Sequence, residues 1–111
     1  MDRFVAANGQ IVRPDGREIG LTVSEAILLG RLRKHAQAHP GEYVNRQRQA
    51  VWLWGADYNW PETWASSIAV HHHRLRTKTG GGSFRIEHKY DFGDRFMGDL
   101  EFVGDLEGDG S

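Results

Sequence analysis

Cysteine is absent from the 111 residues, which excludes disulfides and every zinc site built on thiolates. No apolar run approaches the roughly 20 residues that span a bilayer, so no membrane partner is expected. The Met1-Asp2-Arg3 opening lacks the pattern of a secretory leader, and the cytoplasm is the expected location. Catalytic signatures are missing too. There is no nucleophile elbow, no carboxylate paired with a neighbouring base, and no phosphate-binding glycine loop. Gly80-Gly81-Gly82 precedes a strand pattern, whereas a phosphate cradle needs a following helix. The chain does not read as an enzyme, and no cofactor is expected.

What is present suits one small globular domain. Hydrophobic residues make up 39% and charged residues 26%, enough apolar surface for a single core. The net charge of -1 hides an asymmetry. Asp99, Glu101, Asp105, Glu107 and Asp109 follow the last cation, leaving 14 basic against 10 acidic residues in positions 1–98, a net of +4. A mildly basic body (1–98) and an acidic, flexible tail (99–111) are the expectation.

Short β-type runs open the chain at Phe4-Val5-Ala6 and Gln10-Ile11-Val12-Arg13. Asn8-Gly9 between them is a hairpin signal, because both residues tolerate positive φ. Pro14-Asp15-Gly16 reads as a second turn, feeding a third strand at Arg17–Gly20. Thr22 with Glu25 three residues later forms a capping-box pattern for a first helix, with Ile27, Leu28 and Leu32 as its apolar stripe. Asn45 reads as the cap of a second helix and Gly55 as its stop. A third helix follows Pro61, with a stripe of Trp64, Ile68, His72 (or His71) and Leu75. Phe84–Tyr90 alternates as a half-buried strand, Asp91–Asp94 reads as a turn, and Arg95-Phe96-Met97 as the returning strand. The predicted class is α+β: N-terminal strands over 1–20, three helices over 22–79, and a hairpin over 84–97. That order is the winged helix-turn-helix plan.

With these elements in place the sequence resembles the winged-helix effector domain of OmpR/PhoB-type response regulators, over roughly residues 4–97. The resemblance rests on Asp15-Gly16, Leu21-Thr22, Glu25 and Leu28-Leu29; on Asn45-Arg46 and Trp54-Gly55; on Val70-His71 with Arg74-Leu75-Arg76-Thr77-Lys78; and on Gly93 with Arg95-Phe96. It departs from the family at four positions. Gln49 stands where the second helix usually has a core leucine, and His72 where the third has a core isoleucine. Asp91 and Asp94 replace a wing glycine and a tyrosine. No receiver domain precedes the helices, and the family's four-stranded N-terminal sheet reads as three strands. The expectation is a stand-alone relative.

The resemblance implies a small bacterial or bacteriophage transcription regulator, with the third helix in the major groove of double-stranded DNA. Residues 66, 67, 70, 73, 74 and 77 share one helix face opposite Ile68 and Leu75. Ser66, Ser67 and Val70 offer short side chains near its start, and His73, Arg74, Arg76 and Lys78 supply cations or donors towards its end. Arg74 suits a bidentate contact to guanine, and Arg76 and Lys78 suit phosphates. His71 matches a backbone-contacting position of the family. Arg85, His88 and Lys89 are the candidate wing contacts to the minor groove or phosphates. Arg31, Arg33, Lys34, Arg46 and Arg48 are further candidates, Arg46 with a structural salt bridge as its alternative.

Competing explanations exist for each group. A basic face can be merely solvated, its cations placed for the helix dipole. His71-His72-His73 is not a metal site, because consecutive helical side chains diverge by about 100°. Core packing is expected for Trp54 and Trp64. Tyr58 and Trp60 lie in the loop that in relatives contacts RNA polymerase, and mark a possible protein contact. The alternative function is therefore a protein-interaction module (for RNA polymerase, another regulator or itself) that has lost DNA binding. Self-association on tandem sites stays open.

Overall fold

The computed structural model describes residues 1–57 and 59–104. Its elements run β1 (Arg3–Val5), β2 (Gln10–Val12), β3 (Glu18–Gly20), α1 (Val23–Ala38), α2 (Arg46–Trp54), α3 (Trp64–Thr79), β4 (Phe84–Lys89), β5 (Gly93–Gly98) and β6 (Glu101–Val103). Local chemistry sets most of these boundaries. Thr22 and Glu25 form a reciprocal capping box at α1, the Asn45 side chain accepts from the Arg48 N–H to start α2, and Gly55 at φ 94° ends it. Gly9 at φ 65° turns β1 into β2.

The last strand corrects the expected tail. Glu101–Val103 is not loose chain: it pairs in parallel with β1, giving a four-stranded sheet of order β3-β2-β1-β6. The N-terminal sheet is thus not shortened to three strands; its fourth comes from the other end of the domain. Phe102 makes an edge-on contact with Phe4 at 5.0 Å, and the Arg33 guanidinium lies 4.0 Å over the Phe102 ring. Arg33 also donates to the Leu100 carbonyl at 2.8 Å, which commits it to the fold. The acids Asp105, Glu107 and Asp109 fall outside the described residues.

A single apolar core joins the two sheets through α1. Phe4 and Ile11 of the first sheet meet Leu28, Leu29 and Leu32 of α1, Leu75 of α3, and Phe84, Ile86 and Phe96 of the β4–β5 hairpin. Burying side chains of this size contributes about 1.5–3 kcal/mol each. Trp54 and Trp64, expected in the core, are only half-buried, whereas Ala50 of α2 and Ile68 of α3 are fully buried.

Polar ties fix the hairpin to the rest. Asp2 is buried and joins Arg13 at 3.4 Å, while Ser83 Oγ accepts from the Asp2 N–H and the Asp2 carboxylate accepts from the Ser83 N–H. A side chain at Gly82 would overlap the Asp2 carboxylate, so the glycine run permits this close approach. On the other side, Val44 and Asp94 exchange two backbone hydrogen bonds of 2.8 and 3.0 Å. Asp94 therefore belongs to strand β5, not to the turn expected at Asp91–Asp94, and it is fully buried.

Candidate nucleic-acid interface

Helix α3 buries Ile68, His72, Leu75 and Thr79, steps of four, three and four that leave the opposite side to solvent. Ser66, Val70, His73, Arg74 and Thr77 are exposed there, with Ser67 half-buried at the edge, while Arg76 is exposed on the flank of the helix that meets the β4–β5 hairpin. The helix carries no acidic residue, so this surface is neutral or cationic throughout. Ser66 Oγ donates to the Thr63 carbonyl at 3.0 Å, tying its hydroxyl to the first turn.

Lys78 stands apart from this set. Its ammonium is 2.6 Å from Glu25 Oε1 and 3.2 Å from the Gly20 carbonyl. Burial works against the Glu25 charge, yet hydrogen bonds from Lys78 and the Thr22 N–H outweigh it and hold the carboxyl below its ordinary value. This ion pair fastens α3 to α1.

The three consecutive histidines take three environments. His73 is exposed. His71 is half-buried within electrostatic reach of Glu25; burial, aided by Arg74, lowers its pKa against the pull of Glu25. His72 points into the core and lies 2.6 Å from Gln49 Oε1.

That contact belongs to a buried polar network that the sequence did not reveal. Gln49 Nε2 donates to the Val44 carbonyl and to Asp94 Oδ2, both at 2.9 Å. Its Oε1 therefore accepts from His72, which must carry the proton on Nε2. Arg46 donates to both Asp94 oxygens, at 2.8 and 3.2 Å, and His88 Nδ1 lies 3.0 Å from Oδ1. His72, Gln49 and Asp94 are each 0% exposed. Burial pushes His72 down to about 4 despite the nearby Asp94 carboxylate. For Asp94, burial is outweighed by hydrogen bonds from Arg46 and Gln49 and by His72, leaving its pKa below the ordinary value. Three of the four departures from the family pattern thus meet at one point, joining α2, α3 and the wing. Arg46 is the structural salt bridge of the two roles considered for it.

The wing divides its candidate residues between two faces, as strand alternation requires. Phe84, Ile86 and His88 share the inner face; Arg85, Glu87 and Lys89 share the outer one. His88 is therefore engaged with Asp94, while Arg85 (side chain 70% exposed) and Lys89 remain on the outer surface. Glu87 anchors that surface: its Oε1 accepts from the Tyr43 hydroxyl at 2.7 Å and from Arg95 at 2.6 and 3.0 Å.

The loop aromatic Trp60 donates its indole N–H to the Gly55 carbonyl at 2.7 Å and meets Trp64 edge-on at 5.2 Å. It is half-buried and braces the α2–α3 connection. Tyr58, the other candidate protein contact, lies outside the described residues. Among the described residues, the exposed aromatics are Tyr90 and Phe92 on the β4–β5 turn, Tyr90 at what reads in the sequence as a strand end and Phe92 at what reads as a turn.

Comparison with solved structures finds the crystal structure of the DNA-binding domain of Bacillus subtilis CssR, at 26% identity and a TM-score of 0.69. The match covers 87% of this chain and 100% of that one, so helices, sheet and wing correspond as a winged-helix fold. No protein-family model matches the chain, and no curated protein matches it.

Proposed function

We propose that this chain, a winged-helix domain of the OmpR/PhoB type, binds double-stranded DNA sequence-specifically as a small transcription regulator. The observation that carries this is the acid-free outer side of α3, with His73 and Arg74 exposed on it and Arg76 on its flank, on a fold shared with a DNA-binding domain. An α-helix fits the major groove, and an exposed guanidinium can hydrogen-bond guanine O6 and N7 in bidentate fashion. Arg74 takes that role, near Val70 and His73 on the helix surface. Ser66 and Ser67 lie towards the leading end, and Arg76 and His71 approach phosphates.

The wing contributes Arg85 and Lys89 to the flanking backbone or minor groove, while His88, Arg46 and Lys78 hold the elements in place. This is a smaller cationic footprint than the sequence suggested. Selection of duplexes from a random pool, followed by footprinting, tests the proposal. Protection of a discrete site, with guanine N7 shielded in the major groove, is the expected result. Absence of any protected site at moderate salt would favour the protein-interaction alternative.

A further inference from the structure

Among the described residues, the two exposed aromatic side chains are Tyr90 (82%) and Phe92 (56%), and both lie on the turn of the wing. The turn is short and defined. Lys89 pairs with Gly93 across it, the Phe92 N–H bonds the Lys89 carbonyl at 3.0 Å, and Asp91 sits in the left-handed region at φ 68°. Turn tips ordinarily carry glycine, asparagine or aspartate. Two aromatics there forgo burial worth about 1.5–3 kcal/mol for a side chain such as Phe, and contribute little to the core. Phe92 is also braced from behind, with Lys89 Nζ 4.6 Å from its ring centroid and the Tyr43 ring 6.2 Å away.

The turn lies beside the leading end of α3. One groove is lined by Asn45 and Gln47 at the start of α2, Trp64 at the start of α3, and Asp91 and Phe92 of the turn. With α3 in a major groove, as proposed above, the surface next to its leading end faces the flanking phosphate strand and the minor groove beyond. Lys89 and Arg85 on the outer face of β4 suit the phosphates bordering that groove.

We infer that Tyr90 and Phe92 form an aromatic wedge that enters the flanking minor groove, partly unstacks one base step and bends the duplex. Apolar side chains inserted from this side kink DNA towards the major groove. A wedge needs a step that unstacks readily, which pyrimidine–purine steps do and A-tracts do not. The preferred flank is therefore a flexible pyrimidine–purine step.

The inference rests on the DNA-binding proposal, and the experiment separates the two. A duplex selected by the wild-type protein, labelled at both ends for energy transfer, would be titrated with wild type and with Tyr90→Ala/Phe92→Ala. A second duplex would carry an A-tract in place of the flanking step. The wild type should bend the first duplex. The double variant, checked for native circular dichroism, should keep the α3 footprint, lose the bend and bind about tenfold more weakly. The A-tract flank should weaken the wild type in the same way. Equal bending and affinity for wild type and double variant, or preference for the A-tract, would overturn the wedge while leaving DNA binding intact. Failure of the wild type to bind any duplex would overturn both and point to a protein as the aromatics' partner.

Discussion

The imidazole Nε2 of His72 sits 2.6 Å from the Gln49 side-chain carbonyl, with both side chains sealed between α2 and α3. Each residue looks out of place alone. Together with Asp94 they complete one hydrogen-bond chain from the third helix to the wing. The geometry makes the three positions interdependent, because a buried donor or acceptor that loses its partner costs about 1–3 kcal/mol. His72→Ile alone should destabilise by about that much, by stranding Gln49 Oε1. Adding Gln49→Leu to His72→Ile should cost less than the sum of the single changes. Urea unfolding of the cycle checks it; strict additivity would mean that the two side chains do not interact.

Acid should weaken the fold in two stages. His72 has a folded pKa of about 4 against an ordinary 6.5, so the unfolded chain binds the extra proton between those values. Stability is complete above the upper value and falls as pH drops towards the lower, by about 3 kcal/mol. His71, lowered in the same direction, adds to the slope. Asp94 and Glu25 are depressed carboxylates, whose contribution is lost only at lower pH, as it falls through their folded pKa values. Unfolding measured at pH 7 and pH 5 isolates the histidines. His72→Ile should flatten most of that difference, and an unchanged slope would contradict the assignment.

Lys78 separates stability from binding. Lys78→Ala leaves the buried Glu25 carboxylate with only the Thr22 N–H, and should cost about 1–3 kcal/mol in unfolding free energy. Its effect on DNA affinity, measured where both proteins are folded, should be much smaller than that of Arg74→Ala. A larger effect would put Lys78 back on the DNA.

Gly93 is the wing's hinge to Val44. At φ 112°, with a Cβ overlapping the Val44 carbonyl, Gly93→Ala combines backbone strain with a clash against main chain. The expected loss is about 2–3 kcal/mol, with the Val44–Asp94 backbone bonds opened. Amide exchange at Val44 and Asp94 reads this directly; unaltered protection would contradict it.

Much of the fold was legible because its signals are local. The capping box of Thr22 and Glu25, the Asn45 cap, the Gly55 stop and the Asn8-Gly9 turn act within a few residues of themselves. Strand β6 was not legible, since three residues in an acidic segment become a strand only by meeting β1 from the other end of the domain. The site divides the same way. Helical spacing identified the face holding Val70, His73 and Arg74, but could not show that Lys78 is paired with Glu25 or His88 with Asp94. Gln49, His72 and Asp94 each stood out against the family pattern. Their meeting depends on how α2 and α3 cross and on the Val44–Asp94 bridge, which no sequence spacing encodes.

The central claim is that the exposed cations of α3 bind DNA, and a salt titration of duplex affinity tests it most directly. For a selected duplex, the logarithm of the binding constant should fall linearly with the logarithm of salt concentration. Arg76→Ala should reduce the slope by about one, as the loss of a phosphate contact does. Arg74→Ala should weaken binding by about 1–3 kcal/mol and relax preference at one base pair. Affinity that neither weakens with salt nor drops on Arg74→Ala would contradict the account.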